Sequence, residues 1–344
     1  MTDLGSRYLG LELAHPIIAS ASPLTASLDG MRRLEDARAA AVVVASLYEE
    51  QIRGDDTVYA TLTENSANLS PEAGSYFPEL PDYWYGVSGH LDTIRRAVES
   101  LEIPVIASLN GVSDTGWLDF AVQLEQAGAA ALELNLYILP TDFAVSGSDI
   151  ERRYLDIVRH VKSEVRIPVC VKLPPYFTAL GNFVRQLESA GANGVVLFNQ
   201  FFRPDLDIET LTITGEPALS GPADMHLPLT WIGLLSRSVN MSLAAGTGVD
   251  SYVEVVKFLL AGADIVATAS TLLRHGPEQM TALVVGLERW LEENGFASVN
   301  EIRGRLDATH FKPADTFLRT QYRSTLADYL PPRSLQSSPL GAVR

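Results

Sequence analysis

The chain has 344 residues, 47% of them hydrophobic and 20% charged, which is enough apolar material for one large core. With 42 acidic and 26 basic residues it carries a net charge of −16, so its surface repels polyanions, and nucleic acid and anionic membrane are excluded as partners. Its one cysteine, Cys170, rules out an intramolecular disulfide and a cysteine-held iron–sulfur cluster.

The first residues lack a basic region followed by an apolar run, and no stretch of about 18 uninterrupted apolar residues occurs. A cytoplasmic protein is the expectation.

Short runs rich in Val, Ile and Ala recur along the chain, at 16–21, 40–46, 104–109, 129–136, 167–173, 194–199, 241–246 and 264–269. Each is nearly continuous in hydrophobicity, as parallel strands buried on both faces are. Helical patterns lie between them. Trp117, Ala121 and Leu124 form one stripe. Ser148 and Glu151 read as a capping box ahead of Ile150, Tyr154, Ile157, Val158 and Val161. Residues 277–294 form another helix, with Pro277 at its first position and Gly295 past its end. The phrase Ala-Gly-Ala recurs at 127–129, 190–192 and 261–263, each time where a helix must end and a strand begin.

Eight strands alternating with helices predict an α/β fold, a (β/α)8 TIM barrel, with an open doubly wound sheet as the other topology of this pattern. Long loops follow the second strand (48–90) and the sixth (201–228), and long loops at strand ends usually cover a site. The barrel is expected over 1–310. A polar C-terminal extension follows over 311–344, and its last part is expected to be disordered.

The chemistry-bearing residues cluster at the expected strand ends. Gly246-Thr247-Gly248 closes the seventh strand, and Ala269-Ser270 leads from the eighth into a helix. Barrels commonly hold a phosphate there, because small residues let backbone N–H groups approach its oxygens. Small residues also make ordinary tight turns. Lys172 ends the fifth strand, where a buried lysine must be paired, and it suits a negative ring, a phosphate or a Schiff base. A lysine reaching out to solvent is the plain alternative. Asn110, Asn135 and Asn199 end or follow the third, fourth and sixth strands. Their amides offer both donor and acceptor to a planar heterocycle, although any one of them could be a turn residue. The six histidines show no metal-ligand spacing, so no metal is expected, and His226 reads as a surface residue. The aromatic loop with Tyr76, Phe77, Tyr83, Trp84 and Tyr85 suits an apolar pocket or plain packing.

Val171-Lys-Leu-Pro-Pro-Tyr-Phe177, Glu133-Leu-Asn135 and the block from Gly246 to Pro277 together resemble the dihydroorotate dehydrogenase family, over about 11–306. Leu197-Phe-Asn199 and Arg203-Pro-Asp205 look nearest to a divergent bacterial branch of it. The resemblance implies an oxidoreductase of pyrimidine biosynthesis that holds flavin mononucleotide (FMN) at the top of a barrel. It places Ser20, Ala21, Ser22, Asn110, Asn135 and Lys172 at the ring, with Lys172 stabilising the anionic reduced form. It places Gly246, Thr247, Gly248, Ala269 and Ser270 at the phosphate, and Asn135, Asn199 and Phe77 at the substrate.

The departures from the family pattern matter. The catalytic Cys or Ser base falls on Ile138, which takes no proton. The family's lysine after the second strand falls on Ala45. Two substrate asparagines fall on Phe77 and Pro140. Tyr137 is the expected substitute base, or else the substrate differs from dihydroorotate. Two further readings stay open: a phosphate-binding lyase or isomerase using Lys172, and a flavin-binding protein without turnover. A small-molecule substrate, an electron-transfer protein and a homodimer are the expected partners.

Overall fold

The computed structural model describes residues 2–53, 87–111, 118–199, 205–214 and 219–307, with two short helical pieces at 319–320 and 322–324. Phe77 and the aromatic loop around it lie outside the described residues, as does most of 311–344.

The described chain opens with an antiparallel hairpin, β1 (Ser6–Tyr8) and β2 (Leu11–Leu13), turned by Leu9 and Gly10 at positive φ. Then come β3 (Ile17–Ala19), α1 (Leu28–Asp36), β4 (Val42–Val43), β5 (Leu47–Tyr48) and α2 (Glu49–Arg53). After the first undescribed segment follow α3 (Val87–Ser100), β6 (Val105–Asn110), α4 (Leu118–Gln126), β7 (Ala131–Asn135), α5 (Gly147–Glu164), β8 (Val169–Leu173), α6 (Leu180–Ser189) and β9 (Gly194–Leu197). A second hairpin, β10 (Asp205–Asp207) and β11 (Thr212–Thr214), interrupts the long connection to α7 (His226–Leu235). The described chain continues through β12 (Ser242–Gly246), α8 (Tyr252–Ala261), β13 (Ile265–Thr268), α9 (Ser270–His275), α10 (Gln279–Glu293) and α11 (Val299–Ile302).

Parallel pairing runs β3–β4–β6–β7–β8–β9–β12–β13 and returns from β13 to β3. The sheet is therefore closed: an eight-stranded (β/α)8 barrel, not an open doubly wound sheet. All eight apolar runs become barrel strands, most of them shortened, while β6 runs one residue on to Asn110. The second run is broken into β4 and the short β5, both paired with the neighbouring β6, and of residues 44–46 between them Val44 still donates to Ile106 O.

Two cores hold the barrel. The outer one packs strand residues such as Leu132, Leu134, Val169 and Val171 against the helices. The inner one fills the barrel with Ile18, Val43, Ile106, Ala131, Cys170, Val196, Ala244 and Ile265. The N-terminal hairpin closes its lower end with Tyr8, Leu9 and Leu13, a plug the sequence reading missed. Because strand side chains alternate, inward Ala131 and Cys170 dictate that Glu133, Asn135 and Lys172 also point inward, toward the upper end.

The repeated Ala-Gly-Ala junctions behave as expected: Gly128, Gly191 and Gly262 all adopt positive φ and end helices. Two helix starts differ from expectation. Ser146, not Ser148, caps α5 by accepting from Asp149 N, so the helix begins earlier. Regular helix α10 begins at Gln279, two residues past Pro277, while Gly295 follows its end at positive φ as expected.

Candidate functional site at the barrel mouth

Three adjacent strands set one row of polar side chains. Asn110 on β6 stands beside Asn135 on β7, and Asn135 stands beside Lys172 on β8. Asn199, just past β9, donates through Nδ2 to Asn135 Oδ1 at 2.8 Å. Asn110, Asn135 and Lys172, expected at a ring or substrate, thus share one row, and Asn199 is bonded to its middle member.

Lys172 does not reach solvent. Its side chain is 11% exposed, and Nζ donates to Ser20 Oγ at 3.2 Å and lies 3.5 Å from Glu133 Oε1. Ser20 therefore sits beside Lys172, as expected. Ser22 is buried, starts a short 3-10 turn and exchanges hydrogen bonds with Thr25, while Ala21 is half-buried between them. One row below Asn110, the buried Ser108 shares a 2.8 Å hydrogen bond with Ser46. Ala45, in the place of the family's second lysine, is buried. Lys172 is therefore the cation brought to the inner face of the mouth among the described residues.

The turns after β12 and β13 meet through a residue the sequence reading did not single out. Ser220 Oγ accepts from Gly248 N at 3.1 Å and donates to Ser270 Oγ at 3.0 Å, while Ser220 N also donates to Ser270 Oγ. Arg274 holds the Ser220 carbonyl from one side and Asp250 from the other. Thr247 and Gly248 both take positive φ, and the Thr247 hydroxyl donates to Phe198 O. A Cβ on Gly248 would stand 2.5 Å from Met225 N, so this turn accepts only glycine. Gly246, Thr247, Gly248, Ala269 and Ser270 thus converge as expected, with Ser220 as the link. Ser220 lies inside a long connection, and nothing in the sequence pattern marks it.

The loop after β7 carries Tyr137 and Ile138. Tyr154 on α5 fixes it: its hydroxyl accepts from Ile138 N at 3.0 Å and donates to Leu136 O at 3.2 Å. Burial pushes the Tyr154 phenol up to about 12, so it stays a donor. Phe177 and Phe183 pack edge-on against it. Tyr137 is hydrogen-bonded to Tyr176, and burial together with that neighbour raises its phenol above the ordinary value. That direction runs against the base role expected of Tyr137, because a phenol held protonated does not collect a proton at neutral pH. Ile138 is half-buried, and Leu139, Phe143 and Tyr176 beyond it are exposed, so this rim of the mouth is apolar.

Glu133 was part of a motif with no role assigned to it. Two-residue alternation from Asn135 places it inward, and an inward carboxylate needs a partner. His226 is exposed, as expected. Among the described residues no group of three or more His, Cys, Asp or Glu side chains could hold a metal ion, and no helix is long and apolar enough to cross a membrane.

No family model matches the chain. Among curated proteins, one of Aeropyrum pernix named as a dihydroorotate dehydrogenase A (fumarate) is 31% identical over 217 residues, covering 61% of this chain and 70% of its own length. The catalytic subunit of dihydroorotate dehydrogenase B (NAD(+)) from Methanothermobacter thermautotrophicus is 26% identical, covering 88% of this chain and 97% of its own. That of Bacillus pumilus is 28% identical, covering 76% and 87%. A closed barrel, a buried lysine among amides at its mouth and this extent of likeness agree: the chain belongs to the dihydroorotate dehydrogenase family.

Proposed function

We propose that this chain is an FMN-dependent oxidoreductase acting on a CH–CH bond of a small molecule, with a substrate more apolar than dihydroorotate. The observation that carries the reading is Lys172, buried at the mouth beside Ser20 and at the end of a row of amides. A fixed ammonium there suits a ring that becomes negative on reduction. The small residues that end β12 and β13, Gly246 to Gly248 and Ala269 to Ser270, suit a phosphate, which barrels commonly hold after these two strands.

Ser20, Ala21, Ser22, Asn110, Asn135 and Lys172 would hold the ring. Gly246, Thr247, Gly248, Ala269 and Ser270 would hold the phosphate. Asn135, Asn199 and Phe77 would face the substrate. When bound, the flavin supplies the two-electron chemistry; the chain supplies charge at Lys172, hydrogen bonds from the amides and an apolar wall at Ile138 and Leu139.

Dihydroorotate oxidation requires removal of a proton from carbon, and losing a positioned base costs about 10²–10⁴-fold. Ile138 accepts no proton and Tyr137 is held protonated, which supports a substrate that does not need that base. A Schiff-base lyase is less well supported, because Lys172 is engaged as one half of an ion pair. A soluble electron-transfer protein as electron acceptor or donor, a homodimer and a barrel spanning 1–310 with an extension over 311–344 belong to the same proposal.

The test is the visible spectrum of the purified protein, followed by anaerobic addition of dihydroorotate. Flavin bands that persist are expected. Bands that bleach make dihydroorotate the substrate and overturn the substrate part of the proposal. A protein that stays colourless after reconstitution with FMN overturns the cofactor part.

A further inference from the structure

Glu133 is 2% exposed on the inner face of β7, and its Oε1 receives no hydrogen bond in the structure. A buried carboxylate is expensive to desolvate, and here its compensation is the Lys172 ammonium at 3.5 Å. Lys172 already donates to Ser20, and Asn135 stands beside it in the row above Glu133. Neutral groups would fix the amine as a hydrogen-bond donor; a carboxylate adds a charge of opposite sign. The field of Glu133 also reaches downward. Burial raises the Cys170 thiol and the Tyr8 phenol, which are hydrogen-bonded to each other, and the charge of Glu133, in register with Cys170, adds to it. At the inner mouth the buried Ala45 stands where one further cation was expected. Among the described residues, Lys172 and Glu133 thus form an ion pair, one group of each sign, on the inner face beneath the ring site.

We propose that Glu133 is a positioning residue that tunes the electron affinity of the bound flavin, by fixing the Lys172 ammonium and offsetting part of its charge. This rests on the FMN reading. A ring that gains negative charge on reduction is favoured by Lys172 and disfavoured by Glu133, so the pair holds the potential at a compromise. Removing the carboxylate leaves the ammonium uncompensated and makes the site more welcoming to negative charge.

The experiment uses the purified holoprotein and inorganic sulfite, which adds to oxidised flavin and leaves a negative ring, alongside a redox titration. Glu133→Gln is expected to bind sulfite about tenfold more tightly, with a more positive midpoint potential. Glu133→Asp, with its carboxylate drawn back by one carbon, is expected to fall between wild type and Glu133→Gln. It also serves as the measurement if Glu133→Gln does not fold. Lys172→Met is expected to move both readouts the opposite way. A merely structural role for Glu133 would weaken flavin retention but leave sulfite affinity and potential within about twofold of wild type in flavin-loaded protein, and that result overturns the proposal. A wild-type protein that takes up no flavin overturns the cofactor reading itself, which is a different and visible failure.

Discussion

His15 shows how a single side chain reports its surroundings. Its Nε2 bonds the Arg38 carbonyl at 2.6 Å and its Nδ1 accepts from Ile17 N, so the ring is held as one neutral tautomer at the start of β3. Burial lowers its pKa to about 4. The unfolded chain then binds a proton that the folded chain refuses. The neutral ring's contribution is fully present above about 6.5 and is lost as pH falls from there toward 4, and it amounts to about 3 kcal/mol. Denaturant melts at pH 7 and pH 4.5 are expected to show this slope. A His15→Gln variant is expected to be less stable at pH 7 but to lose this part of the slope; an unchanged slope would contradict the assignment. Nothing at the sequence level marked His15, because the carbonyl that holds it belongs to Arg38, 23 residues on in the turn between α1 and β4.

At the scale of elements, the loop after β7 is held by α5 more than by its own residues. Tyr154 makes both hydrogen bonds that span Leu136 to Ile138. Tyr154→Phe keeps the packing against Phe177 and Phe183 and removes only the hydroxyl, so a stability loss of about 1–2 kcal/mol is expected. Hydrogen exchange at the Ile138 amide is expected to quicken with it. Exchange unchanged at that amide would show that the loop is held some other way.

The strands were legible in the sequence because buried parallel strands are continuous apolar runs, and Lys172, Asn135 and the glycine turn were legible because a polar or glycine residue interrupts such a run at its end. Ser220, Tyr154 and the pairing of Glu133 with Lys172 were not. Each depends on contacts across 16 to 50 residues or on which neighbour stands across a strand pair, and periodicity carries no record of either. The capping serine of α5 was misplaced by two residues because Ser146 and Ser148 offer the same chemistry, and only backbone geometry decides between them.

For the whole molecule, the single thiol is a built-in reporter. Cys170 lies in the inner core under Lys172, fully buried, and burial raises it well above an ordinary thiol. Native protein is expected to leave it unmodified by a thiol reagent, and denatured protein to react at once. The labelling rate in native conditions then measures opening of the barrel. Rapid labelling of the native protein would show that the barrel opens locally at β8.

The hairpin that closes the lower end is held by residues far along the chain from it. Leu9 N donates to the Ser242 hydroxyl, Ser6 donates to the Asp264 carbonyl, and Asp3 bridges to Ser298. A nascent chain emerging from the ribosome carries Tyr8, Leu9 and Leu13 without the later of their inner-core partners until the strands bearing Val196, Ala244 and Ile265 have been made. Those side chains must wait in the open, or in the care of a chaperone, for most of synthesis. A chain permuted so that residue 2 follows residue 307 directly, and opened near the sixth strand, would place the stopper close in sequence to the staves it seals. Such a permuted chain would refold faster with the same final shape.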